Sequence, residues 1–397
     1  MALESATYQC PNCNGRLFYN GNLGMLQCEF CASTFTPEEI EARNAEKQAA
    51  NDAKAAGDRV AEAATIGAAA ASTTAAAQAG TLNIESTGDP IQDYLNRAKA
   101  AGKEMEGMIA YNCPACGAGL MSDPTTAVTS CPYCGNNAVV PGQLSDVLKP
   151  DLIIPFKLDK KAAVKALSNH YNGKRFLPDS FTKNNHVEEV QGVYVPFWLY
   201  TGTASADVTF NARNMRMWSD AKHDYVETDH YILQRVGTLD FYQVPVDGST
   251  KMPDAHMDAI EPYDYSELVP FSMGYLPGYL TERYDLDARK CADRASRRAE
   301  NSAVDVMEST ATGYMEIDVA SSQASVDWTQ IAYALLPVWM LHTKWNNEDY
   351  LFAMNGQTGK FIGDLPIDKG KVRKRFLTIF LPMMVLLALI VYFVFGM

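Results

Sequence analysis

Eight of the nine cysteines in this 397-residue chain fall into four Cys-x2-Cys pairs, and the pairs form two matching sets. Cys10, Cys13, Cys28 and Cys31 recur as Cys113, Cys116, Cys131 and Cys134, each displaced by 103 positions, with fourteen residues between the pairs of either set. The match runs past the cysteines: Tyr8 with Tyr111, Pro11 with Pro114, Leu17 with Leu120, Met25 with Val128 and Phe30 with Tyr133. Two residues between cysteines form a tight knuckle that aims both sulfurs at one ion about 2.3 Å away, and two knuckles complete a tetrahedron. Fourteen residues suffice for a strand, a turn and a return strand. Each set therefore reads as a zinc ribbon holding one Zn2+, two ions in all, with a redox dithiol or an iron–sulfur cluster as the lesser alternative. So small a module buries almost no apolar core and depends on its metal to fold.

The residue that follows each knuckle differs between the copies. Gly117 and Gly135 in the second adopt a left-handed turn readily; Asn14 in the first tolerates it, and Ala32 resists it. The first ribbon is therefore expected to hold its metal more weakly.

A second constraint lies at the other end. Lys369, Lys371, Arg373, Lys374 and Arg375 precede an apolar run, Phe376 to Phe395, that contains no charged residue. At about 1.5 Å of rise per residue such a run matches the thickness of a hydrocarbon core, so it is expected to be a transmembrane tail anchor in the lipid bilayer. Pro382 falls near the start of the span, where little helix precedes it. The basic collar places residues 1–375 on the cytoplasmic side of a cell membrane, single-pass, by the positive-inside bias. Met1 to Gln9 has neither a basic nor an apolar region of a secretory signal. Thiols kept reduced on that side favour metal ligation over disulfides.

The formal charge is −13, and without the collar the rest is more acidic still. A body of that sign is repelled by phosphate backbones and anionic lipid, so nucleic acid is not favoured as a partner.

The expected domain order is ribbon 1 over 1–36, an Ala-rich helix and linker over 37–108, ribbon 2 over 109–150, an α+β domain over 151–368, and the collar and tail over 369–397. Thr36, Pro37 and Glu39 spell a helix start with a capping box. The helix after them, to about Ala64, has scarcely a large apolar residue and is expected to be solvent-exposed. Thr65 to Gly88 reads as a flexible linker, and 91–105 as one more short helix. Leu152 to Phe156 is a strand candidate, and Asp159 to Tyr171 a helix with Asp159 as cap and Gly173 beyond its end. Val193 to Tyr200 is apolar and aromatic. Ala204, Ala206, Val208, Phe210 and Ala212 then alternate with polar residues as in a half-buried strand. Tyr225 to Val246 continues in strand-like runs. Asp287 caps a helix from Ala288 to about Met307 with Ala288, Cys291, Ala295, Ala299, Ala303 and Val306 on one face. Tyr350 to Met354 and Lys360 to Leu365 form a hairpin around 355–359. Strands without regular intervening helices indicate an antiparallel α+β domain.

Other candidate chemistry is thin. No Gly-Lys step is followed by Ser or Thr, which excludes a phosphate loop. Cys291 reads as a packed thiol, and His223 and His230 as strand residues pointing to opposite faces. The aromatic runs Tyr194 to Tyr200 and Tyr333 to Trp345 read as core.

The chain resembles a bacterial family labelled zinc-ribbon proteins of the transcription factor IIB type. The resemblance rests on Cys-Pro-Ala-Cys-Gly (113–117), Cys-Pro-Tyr-Cys-Gly (131–135), Val-Pro-Phe-Trp (195–198), Val-Pro-Val-Asp-Gly-Ser (244–249), Leu-Pro-Val-Trp (336–339) and Ala-Met-Asn-Gly-Gln-Thr-Gly-Lys (353–360). It implies a cytosolic body on a membrane span with no established activity. Some members carry the name of a primosomal replication-restart helicase, which this sequence, lacking a nucleotide-binding loop, does not support. The expected function is a membrane-tethered, non-enzymatic adaptor whose ribbons, carried on a spacer, bind protein partners. The alternatives are a nucleic-acid-binding or transcription-related protein, and an enzyme in the 151–368 domain.

Overall fold

In the computed structural model of the protein, residues 8–47, 87–100, 108–123, 126, 128, 130–137, 140–141, 148–179, 181, 190–346 and 348–395 are described. The helix end expected near Ala64 and nearly all of the Ala-rich linker lie outside them.

The chain opens with a three-stranded sheet, β1 (Leu17–Asn20), β2 (Met25–Cys28) and β3 (Thr34–Phe35). The fourteen residues between the first two knuckles thus make the expected strand, turn and return. Helix α1 follows over 37–47. Its capping box forms reciprocally: Thr36 N–H donates to Glu39 Oε2 at 2.9 Å and Glu39 N–H to Thr36 Oγ1 at 3.2 Å. The helix is not free in solvent, however. Ile40 is 2 % exposed and packs into the main core, and Ser272 Oγ donates to Glu41 Oε1 at 2.6 Å. One large apolar side chain on an Ala-rich helix is enough to dock it when a matching surface exists elsewhere in the chain.

Helix α2 (Pro90–Ala100) is docked as well. Tyr94 Oη donates to Asp151 Oδ2 at 2.5 Å and its ring meets Trp198 edge-on, while Arg289 pairs with Asp89 at 2.6 Å. Both described ends of the Ala-rich segment are therefore pinned to the body.

Next come β4 (Ile109–Asn112), β5 (Gly119–Ser122), β6 (Val140–Pro141) and β7 (Leu152–Ile153). Helix α3 (Lys160–Tyr171) is capped by Asp159, whose carboxylate accepts from Ala162 N–H at 2.8 Å, and Gly173 just beyond it has φ 76°. Two very long strands follow, β8 (Gln191–Ser219) and β9 (Asp224–Asp247). After them come α4 (Asp254–Ile260), β10 (Val269–Pro270), β11 (Leu280–Glu282) and α5 (Ala288–Ser309). A third long strand, β12 (Glu316–Trp345), leads to β13 (Glu348–Asn355), β14 (Phe361–Gly363) and α6 (Lys369–Phe395).

Strands β4 to β14 form one 11-stranded sheet. Its strands mostly run antiparallel, but β11 lies parallel to β8 and β7 parallel to β12, so the sheet is mixed, not purely antiparallel as expected. Its central strand pair is β8 with β12, registered from Gln191↔Met340 to Arg213↔Glu316. The near half of that pair is core on both faces: Tyr194, Val195, Trp198 and Tyr200 on β8 and Tyr333, Leu335 and Leu336 on β12 are each 0 % exposed. Beyond Gly202 only β8, β9 and β12 continue, as a three-stranded arm. One face of this arm, from Ala204 to Phe210, packs on Ala303 and Met307 of α5. The small-residue face of α5 forms as read from Ala288 to Ala303, but its last member is Met307, with Val306 left 45 % exposed.

Helix α6 begins docked, with Lys371 Nζ on the Leu177 carbonyl and on Asp179. Every large apolar side chain from Phe376 to Ile390, the last described, is exposed. Among the described residues no helix is long and apolar enough to cross a membrane. The transmembrane tail expected over Phe376 to Phe395 is in this respect unsupported, although Lys369–Phe395 does form one helix.

Candidate metal centres

The structure brings each set of four cysteines together, with all four Sγ atoms of a set within 4.8 Å of one another. In ribbon 1 Cys10 and Cys31 are 3.5 Å apart and Cys13 and Cys28 3.4 Å. In ribbon 2 Cys113 and Cys134 are 3.6 Å apart and Cys116 and Cys131 3.7 Å. A tetrahedron of sulfurs with bonds of about 2.3 Å has edges of roughly 3.8 Å, whereas a disulfide needs about 2.05 Å. The donor sets fit Zn2+, and all eight thiols are free.

All four knuckles share one backbone design. The first cysteine's carbonyl accepts from the N–H four residues on, at Asn14, Ala32, Gly117 and Gly135, over 2.8 to 3.1 Å. Its own N–H donates to the carbonyl of the next residue, Gly15, Ser33, Ala118 or Asn136. The turn puts the fourth residue in the left-handed region every time, with φ of 60°, 57°, 72° and 68°. The positions singled out from sequence are thus the ones under conformational demand, and Ala32 meets it with a side chain that opposes it.

Within each cluster one thiol is drawn toward thiolate. Hydrogen bonds from the Ser33 side chain and backbone pull Cys31 down to about 6. Burial raises Cys113, but backbone hydrogen bonds from Cys116 and Ala115 outweigh it and bring that thiol to about 7. The thiolate is the form that ligates metal.

The two sites differ in what surrounds them. Ribbon 2 is built into the large sheet: β5 pairs with β4 on one edge and with β11 on the other, Met121↔Thr281 and Leu120↔Glu282. In ribbon 1 the second edge of β1 is taken by its own return strand, Leu17↔Cys28. Tyr133, between Cys131 and Cys134, is buried and donates to Glu282, and Lys251 Nζ donates to the Cys116 carbonyl at 3.2 Å. Glu282 is 1 % exposed, and burial pushes its carboxyl up to about 8 although the Ser249 and Tyr133 hydroxyls lower it. Ribbon 1 is docked instead by one flank. Tyr19 N–H donates to the Pro277 carbonyl at 2.9 Å, Tyr279 Oη to the Tyr19 carbonyl at 3.3 Å, and Tyr19 meets Tyr275 edge-on. Arg16 Nη2 reaches Thr126 Oγ1 of ribbon 2 at 3.2 Å, so the two ribbons touch. The opposite flank faces solvent: Cys13 and Cys31 are exposed, and Phe30 is 78 % exposed where its repeat-mate Tyr133 is 7 %.

Sequence reasoning missed this docking. A signal was present, since copy one carries Phe18 and Tyr19 where copy two has Met121 and Ser122, and an isolated ribbon has no core to take two aromatic rings. Also missed was a cleft of about 640 Å³ between ribbon 1 and the body, lined by Arg16, Glu29, Asp159, Lys160 and Lys161 among others.

The remaining candidates fall where packing puts them. Cys291 is 3 % exposed, donates to the Asp247 carbonyl, and is pushed up to about 12 by burial, which makes it unreactive. His223 lies in the turn between β8 and β9 and His230 on β9, both exposed, and they do not meet at a site.

No known family's model matches the chain, and no solved structure matches it. The chain is 28% identical over 314 residues, 67% of its length and 92% of the relative's, to an uncharacterized protein, YdjG, of Bacillus subtilis (strain 168).

Proposed function

We propose that the protein is a non-enzymatic, zinc-dependent adaptor held at the cytoplasmic face of a membrane by the helix Lys369–Phe395, with ribbon 1 as the surface that protein partners recognise. The observation that carries this reading is the contrast at one repeat position. Phe30 stands in solvent between two ligand cysteines while Tyr133, its counterpart, is sealed into the body. Ribbon 2 then serves the fold, and ribbon 1 offers a metal-rigidified knuckle with an exposed aromatic, the kind of side chain that anchors protein interfaces. The collar and the exposed apolar face of α6 support the membrane side of the reading. The expected spacer is revised: ribbon 1 sits on the body and presents its outer flank from there.

Affinity capture from solubilised membranes with the native chain and Phe30→Ala tests it. Partners that depend on Phe30 while both zinc ions are retained support the adaptor. Unchanged partners contradict it, and salt-dependent binding of DNA or RNA at low salt would replace it with a nucleic-acid role.

A further inference from the structure

The outer edge of β9 is the longest unpaired edge among the described strands. β9 has 24 residues and pairs only with β8; at its proximal end Arg298 and Cys291 of α5 donate to the Pro245 and Asp247 carbonyls, so the open stretch runs from Asp224 to Phe241. From Phe241 to Asp224 its register with β8 has no bulge that would twist it away. Long regular edges of this kind invite another strand unless charge or distortion guards them. The distal edge of β12 on the other side of the arm is guarded, since from Glu316 to Gln330 its only charges are Glu316, Asp318 and Asp327. Two such edges repel one another. The β9 edge carries both signs and exposes Val226, Ile232 and Val236 at 59%, 79% and 70% on the face away from α5.

We propose that β9 pairs antiparallel with β9 of a second copy, about a two-fold axis through Tyr231, joining two arms into one six-stranded sheet. A two-fold normal to the sheet keeps each residue on its own face, so a residue pairs with one whose number differs from it by an even count. With the axis at Tyr231, Glu227 faces the partner's Arg235 twice over, Val226 faces Val236, and Tyr225 covers Gly237, while no like charges meet. Placing the axis at Ile232 instead sets Asp224 against Asp240, a like-charge pair at both ends of the seam. Cross-strand pairs of unlike charge and of β-branched residues are the ones that stabilise an antiparallel edge. A head-to-tail pairing of β9 on β12 would bring acidic residues together and leave open ends, so the closed pair is the form the charges select.

Sedimentation of the full zinc-loaded chain in mild detergent tests this, with Glu227→Arg, Arg235→Glu and the double swap as variants. The native chain sediments as two copies of the 43.7 kDa chain. Each single reversal raises the dissociation constant at least about tenfold, and the double swap restores it. Tyr231→Cys gives a disulfide between copies as oxidised glutathione is reduced, and Ile232→Cys does not. Retention of two zinc ions by every variant separates lost pairing from lost fold, and the charge variants separate pairing by the arm from association through α6. A monomeric native chain, single reversals without effect, or a swap that fails to restore pairing would overturn the proposal.

Discussion

The Tyr133 hydroxyl, carried between Cys131 and Cys134 of ribbon 2, donates to the buried carboxyl of Glu282 on β11. This contact ties the second metal site to the centre of the large sheet, because the residues around Glu282 also pair with β5 and β8. Ribbon 2 is in this sense a part of the body that happens to be closed by cysteines.

Glu282 gives the body a pH dependence of definite sign. Its folded value, about 8, lies above that of an exposed glutamate, so the folded chain holds a proton that the unfolded chain releases. Stability from this group is present at low pH and is lost as pH rises from about 5 to about 8, at up to about 1.4 kcal/mol per pH unit. Glu282→Gln should flatten that slope and be the more stable form at pH 9, as read by denaturant unfolding with zinc held constant. A wild-type slope unchanged by the substitution would show that the carboxyl is ionised in the fold.

The four knuckle turns predict opposite outcomes for the two ribbons. Ala32→Gly relieves a φ of 57° and should stabilise ribbon 1 by about 1 kcal/mol, raising its zinc affinity roughly fivefold in chelator competition. Gly135→Ala imposes the same conflict at φ 68° and also places a Cβ 2.7 Å from His342 Nδ1, so it should weaken site 2 by more than Ala32→Gly strengthens site 1.

Docking of ribbon 1 can be broken without touching its ligands. A Cβ at Gly21 would lie 2.2 Å from the Phe156 carbonyl oxygen, a clash with backbone that cannot give way. Gly21→Ala should therefore release ribbon 1 with its metal still bound. Faster exchange of the Tyr19 amide, whose N–H donates to the Pro277 carbonyl of the body, with metal content unchanged, is the expected signature.

Features set by local chemistry were legible in the sequence. The capping box at Thr36 and Glu39, the caps Asp159 and Asp287, and the turn in which Asn355 Oδ1 accepts from Gln357 and Thr358 all depend on residues within a few positions of one another. The two clusters of four cysteines were legible for the same reason, as knuckle spacing is local. What escaped depends on distant surfaces. Ile40 gives no sign in its own helix of the core cluster that receives it. The distal part of β12 is rich in Ser321, Ser322 and Ser325 and reads as a strand only beside β8. The three arm strands looked like separate pieces because Gly202 and the register shifts at Tyr200/Gly202 and Trp328/Gln330 interrupt their patterns.

The chain is built on one arrangement, two four-cysteine sites fit for zinc, one on a docked surface module and one woven into the sheet. Timed chelation of the purified chain, with released zinc and near-ultraviolet circular dichroism followed together, tests it most directly. Two zinc ions per chain are expected, the first leaving from the exposed site with the aromatic signal largely kept, the second leaving slowly and only as that signal collapses. Fewer than two ions per chain, or release of both in one step with no loss of tertiary signal, would contradict it.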